Sequence, residues 1–80
     1  MDATAEQKVL DLLVQVCGTD EILAERDVDL FEAGLLDSLG FTELLVGLSD
    51  DLGVDVAPTA VDRDEVSTVN QILHFVDERL

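Results

Sequence analysis

Apolar residues recur at helical spacing in three segments of this chain, and that pattern restricts the fold to helices packed on one another. The three segments cover residues 4–17, 38–52 and 69–79. Intervals of three and four residues place apolar side chains on one face of an α-helix, so we predict an all-α fold. The expected inward-facing residues are Ala5, Val9, Leu12, Leu13 and Val16 for the first helix, Phe41, Leu44, Leu45, Leu48 and Leu52 for the second, and Val69, Ile72, Leu73, Val76 and Leu80 for the third, with Phe75 at the margin.

Polar residues and glycines mark the ends of the three helices. Asp, Ser and Thr side chains accept hydrogen bonds from the unpaired N–H groups at a helix start, and glycine adopts the left-handed conformation that ends a helix. A Thr followed three residues later by Gln predicts a capping box, in which each residue binds the other's backbone N–H. The predicted starts are Asp2 or Thr4, Asp37 or Ser38, and Thr68 with Gln71, and the predicted stops are Gly18 and Gly53.

The connection between the first two helices, residues 18–36, is long for a compact domain. A loop of this length is usually functional or held in place by its own side chains. Gly34 suits a backbone turn just before the second helix. After Pro58, residues 61–66 have room for one short helical turn. We therefore predict a four-helix bundle of three main helices and one short helix. The loop residues expected to pack on the core are Ile22, Leu23, Val28, Leu30 and Phe31.

Length and charge limit the classes of function that are open to this chain. Its 80 residues are enough for one domain with a thin core, so we expect residues 1–80 to form a single unit. The net charge of −15 repels nucleic acid and attracts basic protein surfaces. No apolar run approaches the roughly 20 residues that a membrane helix needs, and the acidic start does not resemble a signal peptide. We expect a cytoplasmic protein that inserts in no membrane and is monomeric when free.

Ser38 is the candidate functional residue because it stands at the predicted start of the second helix. The serine nucleophile of hydrolases needs glycine two residues before and after it, but position 36 is Leu. The one histidine, His74, lies near the far end of the chain. A helix start presents unpaired amides and partial positive charge, which favour an anion such as a phosphodiester. Gly40 leaves the backbone there uncrowded. The pattern favours a serine that bears a phosphate group over a catalytic serine.

The other reactive side chains do not form a catalytic or metal site. Cys17 closes the apolar face of the first helix and has no second cysteine to pair with, so we interpret it as structural. His74 lies off the inward face of the third helix, and we expect it at the surface. The acidic residues Asp50, Asp51 and Asp55 do not match the ligand spacing of an EF-hand. We predict no catalytic residue and no metal ligand.

The second helix has an outward face that mixes acidic and aliphatic side chains. At 100° per residue, Leu39 and Val46 project about 140–160° away from Phe41, on the same side as Glu43 and Asp50. Leu39 directly follows Ser38, and Val46 lies two turns further along the same stripe. We predict that Asp37, Leu39, Glu43, Val46 and Asp50 form a docking face for partner proteins.

These residues resemble the phosphopantetheine-dependent acyl carrier proteins over nearly the whole chain. The resemblance is carried by Asp37-Ser38-Leu39, which is similar to the attachment site of that family, and by the helical layout with its long first loop. It implies that Ser38 carries a 4′-phosphopantetheine group, transferred from coenzyme A by a phosphopantetheinyl transferase. It also implies two further partners, an adenylating ligase that loads an amino acid as a thioester and an acyltransferase or synthase domain that removes it. The chain itself would carry substrates and would not be an enzyme.

Within that family the chain resembles the standalone D-alanyl carrier proteins of teichoic acid modification. The similar residues are Val9-Leu10-Asp11, Val16-Cys17, Gly34-Leu35-Leu36-Asp37-Ser38, Gly40, Asp62-Arg63-Asp64 and Thr68, and the departure is Val66, where that family usually has Trp. The abundance of Ala, Val, Asp and Leu is typical of high-GC genomes, where small aminoacyl carriers serve polyketide and nonribosomal peptide pathways. We therefore expect an aminoacyl carrier of natural-product biosynthesis, with the D-alanyl carrier as the alternative. A general acyl carrier, a non-carrier interaction module with the same fold and a small enzyme stay open as further alternatives.

Overall fold

The computed structural model describes all 80 residues and contains three α-helices and no strand. The helices are α1 (Ala3–Cys17), α2 (Ser38–Leu52) and α3 (Val69–Asp77). Short 3₁₀ turns lie at Glu21–Leu23, Pro58–Ala60 and Arg63–Glu65. The predicted all-α, carrier-like fold is confirmed. The short fourth helix is a single 3₁₀ turn within the predicted segment 61–66.

Helix α1 begins one residue earlier than the sequence pattern predicted. Asp2 is its cap, and its Oδ1 accepts a hydrogen bond from the N–H of Ala5 at 2.8 Å. The helix ends at Gly18, whose φ of 75° is the left-handed conformation expected of a glycine stop. Of the two candidate caps, Asp2 is therefore the residue used and Thr4 lies inside the helix.

Helix α3 begins as predicted but ends two residues early. The N–H of Gln71 donates to the Thr68 hydroxyl at 3.1 Å, and the side-chain Oε1 of Gln71 accepts from the N–H of Thr68 at 3.3 Å, so the capping box is confirmed. The helix stops at Asp77 instead of Arg79. The prediction that Leu80 faces inward is wrong: the residue lies beyond the helix and is 55% exposed. Phe75, predicted at the margin, is buried.

The core lies where one face of each helix meets the others. Fifteen apolar residues are buried there, and no polar residue is buried. A Cβ atom built on Gly47 would lie 2.5 Å from Cδ2 of Leu12, so the absence of a side chain lets α2 approach α1 closely. The buried residues are Val9, Leu10, Leu13, Ile22, Leu30, Leu36, Leu44, Leu45, Leu48, Val54, Val66, Val69, Ile72, Phe75 and Val76.

The long loop between α1 and α2 is fixed to the core at fewer points than predicted. Ile22 and Leu30 are buried and Phe31 packs at the core edge, as expected. The expectation is wrong for Leu23 and Val28, which are both 37% exposed. Backbone and side-chain hydrogen bonds supply further support, including one from the Asn70 amide to the Asp27 carboxylate at 2.6 Å. The N–H of Leu30 donates to Ser67 O at 2.7 Å, and this bond ties the loop to the segment just before α3.

Cys17 and His74 occupy the positions that the sequence predicted for them. Cys17 packs against the core at the end of α1, and burial raises the pKa of its thiol. His74 is exposed on α3, with its Nε2 2.6 Å from Glu78 Oε1. None of the helices has the length and apolar character required to cross a membrane.

Candidate functional site around Ser38

The segment that leads to Ser38 is held by one turn and one buried side chain. Gly34 has a φ of 75°, a left-handed conformation that residues with a side chain rarely adopt. This turn allows the N–H groups of Leu35 and Leu36 both to donate to Leu30 O, at 3.0 and 3.1 Å. Leu36 is buried in the core. The chain is therefore fixed two residues before Ser38.

Asp37 caps α2 and fixes the orientation of the residue that follows it. Its backbone is extended, and its Oδ1 accepts a hydrogen bond from the N–H of Gly40 at 2.7 Å. A Cβ atom on residue 40 would lie 3.3 Å from that oxygen and 3.3 Å from Cδ1 of Leu36. Glycine is therefore favoured here, because a side chain would press on both the cap oxygen and the buried leucine. The Asp37 carboxylate, predicted to belong to the docking face, also has this structural role.

Ser38 is the first residue of α2 and its side chain is exposed. Its carbonyl accepts a hydrogen bond from the hydroxyl of Thr42 at 2.9 Å. Its own Oγ accepts a hydrogen bond from Nη2 of Arg63 at 2.9 Å. The structure therefore presents one hydroxyl at a helix start, next to a cation.

Arg63 was not identified as a site residue from the sequence, because 25 residues separate it from Ser38. It lies in the last 3₁₀ turn, and its guanidinium carbon is 4.6 Å from the centre of the Phe31 ring. That ring meets the ring of Phe41 edge to face, with 6.1 Å between the centroids. One signal was available in the sequence, since Arg63 is one of only 4 basic residues.

An open groove runs from Ser38 along the side of α2. Its volume is about 360 Å³. Aromatic and aliphatic side chains form much of its wall, and the serine hydroxyl and the guanidinium stand at its edge. The lining residues are Phe31, Ser38, Phe41, Thr42, Pro58, Val61, Asp62 and Arg63.

The predicted docking residues lie together on the outward side of α2. Leu39 is 70% exposed and Val46 is 57% exposed. Glu43 and Asp50 are also exposed. The helical count therefore assigned these four side chains to the correct side of the helix, although their role as a docking face stays a prediction.

No catalytic arrangement surrounds Ser38. His74, the one histidine, pairs with Glu78 and lines other grooves than the one beside the serine. No group of three or more His, Cys, Asp or Glu side chains is placed to hold a metal ion. The neighbours of the serine are a capping carboxylate, a guanidinium and two aromatic rings.

Comparison with known proteins identifies the family. Residues 7–76 match the family described as "Phosphopantetheine attachment site". The chain belongs to this family. Among its relatives is the D-alanyl carrier protein of Bacillus velezensis, 44% identical over 73 residues, which are 91% of this chain and 94% of that protein.

Other relatives carry the same name. The D-alanyl carrier protein of Enterococcus faecalis is 40% identical over 90% of this chain and 92% of its own length. That of Lacticaseibacillus rhamnosus is 39% identical over 96% of this chain and 95% of its own length. The resemblance inferred from the sequence is confirmed at the level of the carrier family.

Members of this phosphopantetheine-attachment family carry a covalently bound 4′-phosphopantetheine group and are not themselves enzymes. They work with phosphopantetheinyl transferases and with loading ligases. The surroundings of Ser38 suit such a group. The hydroxyl is exposed, a guanidinium beside it can neutralise a phosphodiester, and the groove offers apolar walls to the rest of the arm.

Proposed function

We propose that Ser38 is the attachment residue and that the protein carries an aminoacyl group. The observation that supports this best is the exposed Ser38 hydroxyl, held at the start of α2 by the Asp37 cap and contacted by Arg63. The family match covers this segment. No other serine hydroxyl combines a helix start, exposure and a neighbouring cation: Ser49 binds Asp55, and Ser67 donates to the Arg63 carbonyl.

The residues around Ser38 prepare the hydroxyl for transfer from coenzyme A. The buried Leu36 and the capped first turn fix the backbone, so a transferase finds the hydroxyl in one position. Since Arg63 donates to Oγ, the oxygen keeps its own proton available to a base of the transferase. When Oγ bonds to the phosphorus on the pantetheine side of coenzyme A, the pyrophosphate P–O bond breaks and adenosine bisphosphate leaves. The prosthetic group supplies the terminal thiol that holds the cargo as a thioester, while the protein supplies position and recognition.

D-Alanine is the first candidate for the cargo. The supporting observation is that relatives from several bacteria, 36–44% identical over most of the chain, are D-alanyl carrier proteins. Val66, the position at which the sequence departs from the D-alanyl carriers, is 1% exposed in the core and does not line the groove beside Ser38. These relatives favour the D-alanyl carrier, which was the alternative expected from the sequence, over the natural-product carrier.

An amino acid of a polyketide or nonribosomal peptide pathway is the second candidate. The abundance of Ala, Val, Asp and Leu favours it, and neither the contacts of Ser38 nor the relatives do. The two candidates share the same site, cofactor and loading chemistry. They differ in the ligase that loads the arm and in the acyltransferase or synthase domain that unloads it.

The partners that load the arm are proposed to dock on the outward side of α2. Leu39 and Val46 offer apolar contact area next to Ser38, while Glu43 and Asp50 attract a basic surface. Because each partner must release the carrier in turn, we expect these contacts to be weak. We propose that loading takes place in the cytoplasm, where coenzyme A and ATP are available.

The test of the attachment residue compares Ser38→Ala with Ser49→Ala. Each protein is incubated with coenzyme A and a phosphopantetheinyl transferase and then weighed by intact mass spectrometry. We expect the increment of one phosphopantetheine group on the wild type and on Ser49→Ala, and none on Ser38→Ala. An increment that persists in Ser38→Ala would contradict the assignment.

The test of the cargo uses the modified protein as substrate for a D-alanine-adenylating ligase with ATP. D-Alanine, L-alanine and a β-amino acid are offered separately, and the aminoacyl-protein is detected by its mass. The D-alanyl assignment predicts loading with D-alanine above the other two. Modification without loading by this ligase would reject D-alanine and leave the natural-product candidate, and absence of modification would indicate a non-carrier interaction module.

A further inference from the structure

We propose that Arg63 is a positioning residue that binds the phosphodiester of the prosthetic group and fixes the root of the arm against α2. This rests on the proposed attachment at Ser38 and extends it to a residue outside the attachment segment. The starting observation is the 2.9 Å hydrogen bond from Nη2 of Arg63 to Ser38 Oγ, which joins two residues separated by 25 positions in the sequence.

The guanidinium of Arg63 is held in place although its side chain is exposed. Its carbon lies 4.6 Å from the centre of the Phe31 ring, a distance at which a cation is attracted to the ring face. Its backbone is fixed as well. The Arg63 carbonyl accepts hydrogen bonds from the Ser67 hydroxyl at 2.7 Å and from the N–H of Val66 at 3.0 Å. The donor atoms are therefore ordered before any phosphate group is present.

The positive charge of Arg63 is not paired with a carboxylate. The chain has 19 acidic residues, yet no carboxylate lies within ion-pair distance of this guanidinium, not even those of the adjacent Asp62 and Asp64. Asp37, the acidic residue next to Ser38, accepts from the backbone of α2. Four of the five guanidinium N–H donors remain available.

Attachment of the arm places a negative phosphodiester next to this free cation. The Ser38 oxygen loses its proton and becomes a poor acceptor. The charged phosphate oxygens are bonded to the phosphorus that Oγ itself carries, so they lie next to the atom that Arg63 already contacts. Arginine binds phosphate oxygens through two parallel N–H donors, and these charge-assisted bonds are stronger than neutral ones. Without Arg63, only the partial positive charge at the start of α2 would offset the phosphodiester, which would stand beside the acidic Asp37 and Asp62.

The test compares Arg63→Gln and Arg63→Lys with Arg79→Gln. Arg79 is the matched control because its guanidinium also lies over a phenylalanine ring, 3.6 Å from the centre of Phe75, and loses the same charge on substitution. It donates to the Phe75 carbonyl and does not contact Ser38. Each protein is prepared unmodified and fully modified with phosphopantetheine, with the extent of modification verified by intact mass.

Two readouts report on the phosphodiester itself. The first is the ³¹P NMR resonance of the modified protein, which we expect to shift and sharpen in Arg63→Gln and to stay unchanged in Arg79→Gln. The second is the change in melting temperature on modification. The melting temperature of the modified protein minus that of the unmodified protein should be lower in Arg63→Gln than in wild type by roughly 1–5 °C at low salt, as for the loss of an exposed ion pair. This difference should shrink at high salt. Arg63→Lys keeps the charge without the planar fork, so intermediate values are expected.

The outcomes separate this proposal from the proposed function. A wild-type protein that takes up no phosphopantetheine would reject both. A fully modified Arg63→Gln protein with the ³¹P resonance and the thermal shift of wild type would reject the role of Arg63 and leave Ser38 as the attachment residue. An equal change in Arg79→Gln would show a general charge effect and would also reject the role of Arg63.

Discussion

The two sides of α2 carry similar side chains in opposite environments. Leu44 and Leu48 are almost completely buried against the other helices, whereas Leu39 and Val46 are more than half exposed. Hydrophobicity alone does not separate the two pairs, because each is aliphatic. The two pairs differ in their angular position around the helix axis and in the residues that surround them. One side packs against α1 and belongs to the core. On the other side, Leu39 and Val46 follow Ser38 and alternate with Glu43 and Asp50.

The largest expected effect is on stability and comes from the inward side. Leu48→Ala leaves a cavity in the core and should lower the free energy of unfolding by about 2–5 kcal/mol. Val46→Ala, on the outward side, should change it by no more than about 0.5 kcal/mol. Urea denaturation followed by circular dichroism measures both. Similar losses for the two variants would show that Val46 is part of the core in solution.

The next effect is on function and comes from the outward side. Val46→Asp should fold normally, because the side chain is exposed. It should slow aminoacyl loading about tenfold at both low and high salt, because it removes an apolar side chain from the centre of the contact and puts a carboxylate there. Loading kinetics of the modified protein provide the measurement. A folded Val46→Asp protein that loads at the wild-type rate would place the docking face on another surface.

The smallest effect is expected from charge. Glu43→Lys should slow loading about two- to fivefold at low salt and much less at high salt, because an exposed charge is screened beyond a Debye length of about 8 Å at physiological ionic strength. Glu25→Lys, which makes the same change in the loop between α1 and α2, is the control. If both variants slow loading equally, net charge and not the outward side of α2 attracts the ligase.

The sequence predicted α2 and its two sides well because helical periodicity determines which residues share a face. It was wrong for Leu23, Val28 and Leu80, which lie in a loop or beyond a helix end, where no period applies. The candidate site was predicted only in its local part. Asp37, Ser38 and Gly40 are neighbours in the chain, and their relation follows from the rules for helix starts.

The contacts of Arg63 with Ser38 and Phe31 could not be predicted in the same way. They depend on how the 3₁₀ turn at Arg63–Glu65 packs beside the start of α2, a relation between distant segments that no local pattern contains. The same limit applies to Gly47. A glycine in the middle of a helix is unfavourable for the helix itself. The structure explains why glycine occupies this position, because the Leu12 side chain of α1 lies where a side chain of residue 47 would be.

Localising the modification in the unsubstituted protein tests the central claim most directly. Trypsin cleavage after Arg26 and Arg63 releases residues 27–63, which contain Ser38 and Ser49, while Ser67 falls in the next peptide. Fragment ions in tandem mass spectrometry distinguish these serines after reaction with coenzyme A and a phosphopantetheinyl transferase. We predict that the phosphopantetheine mass is found on Ser38 alone. Its presence on Ser49 or Ser67, or on no residue, would contradict the account.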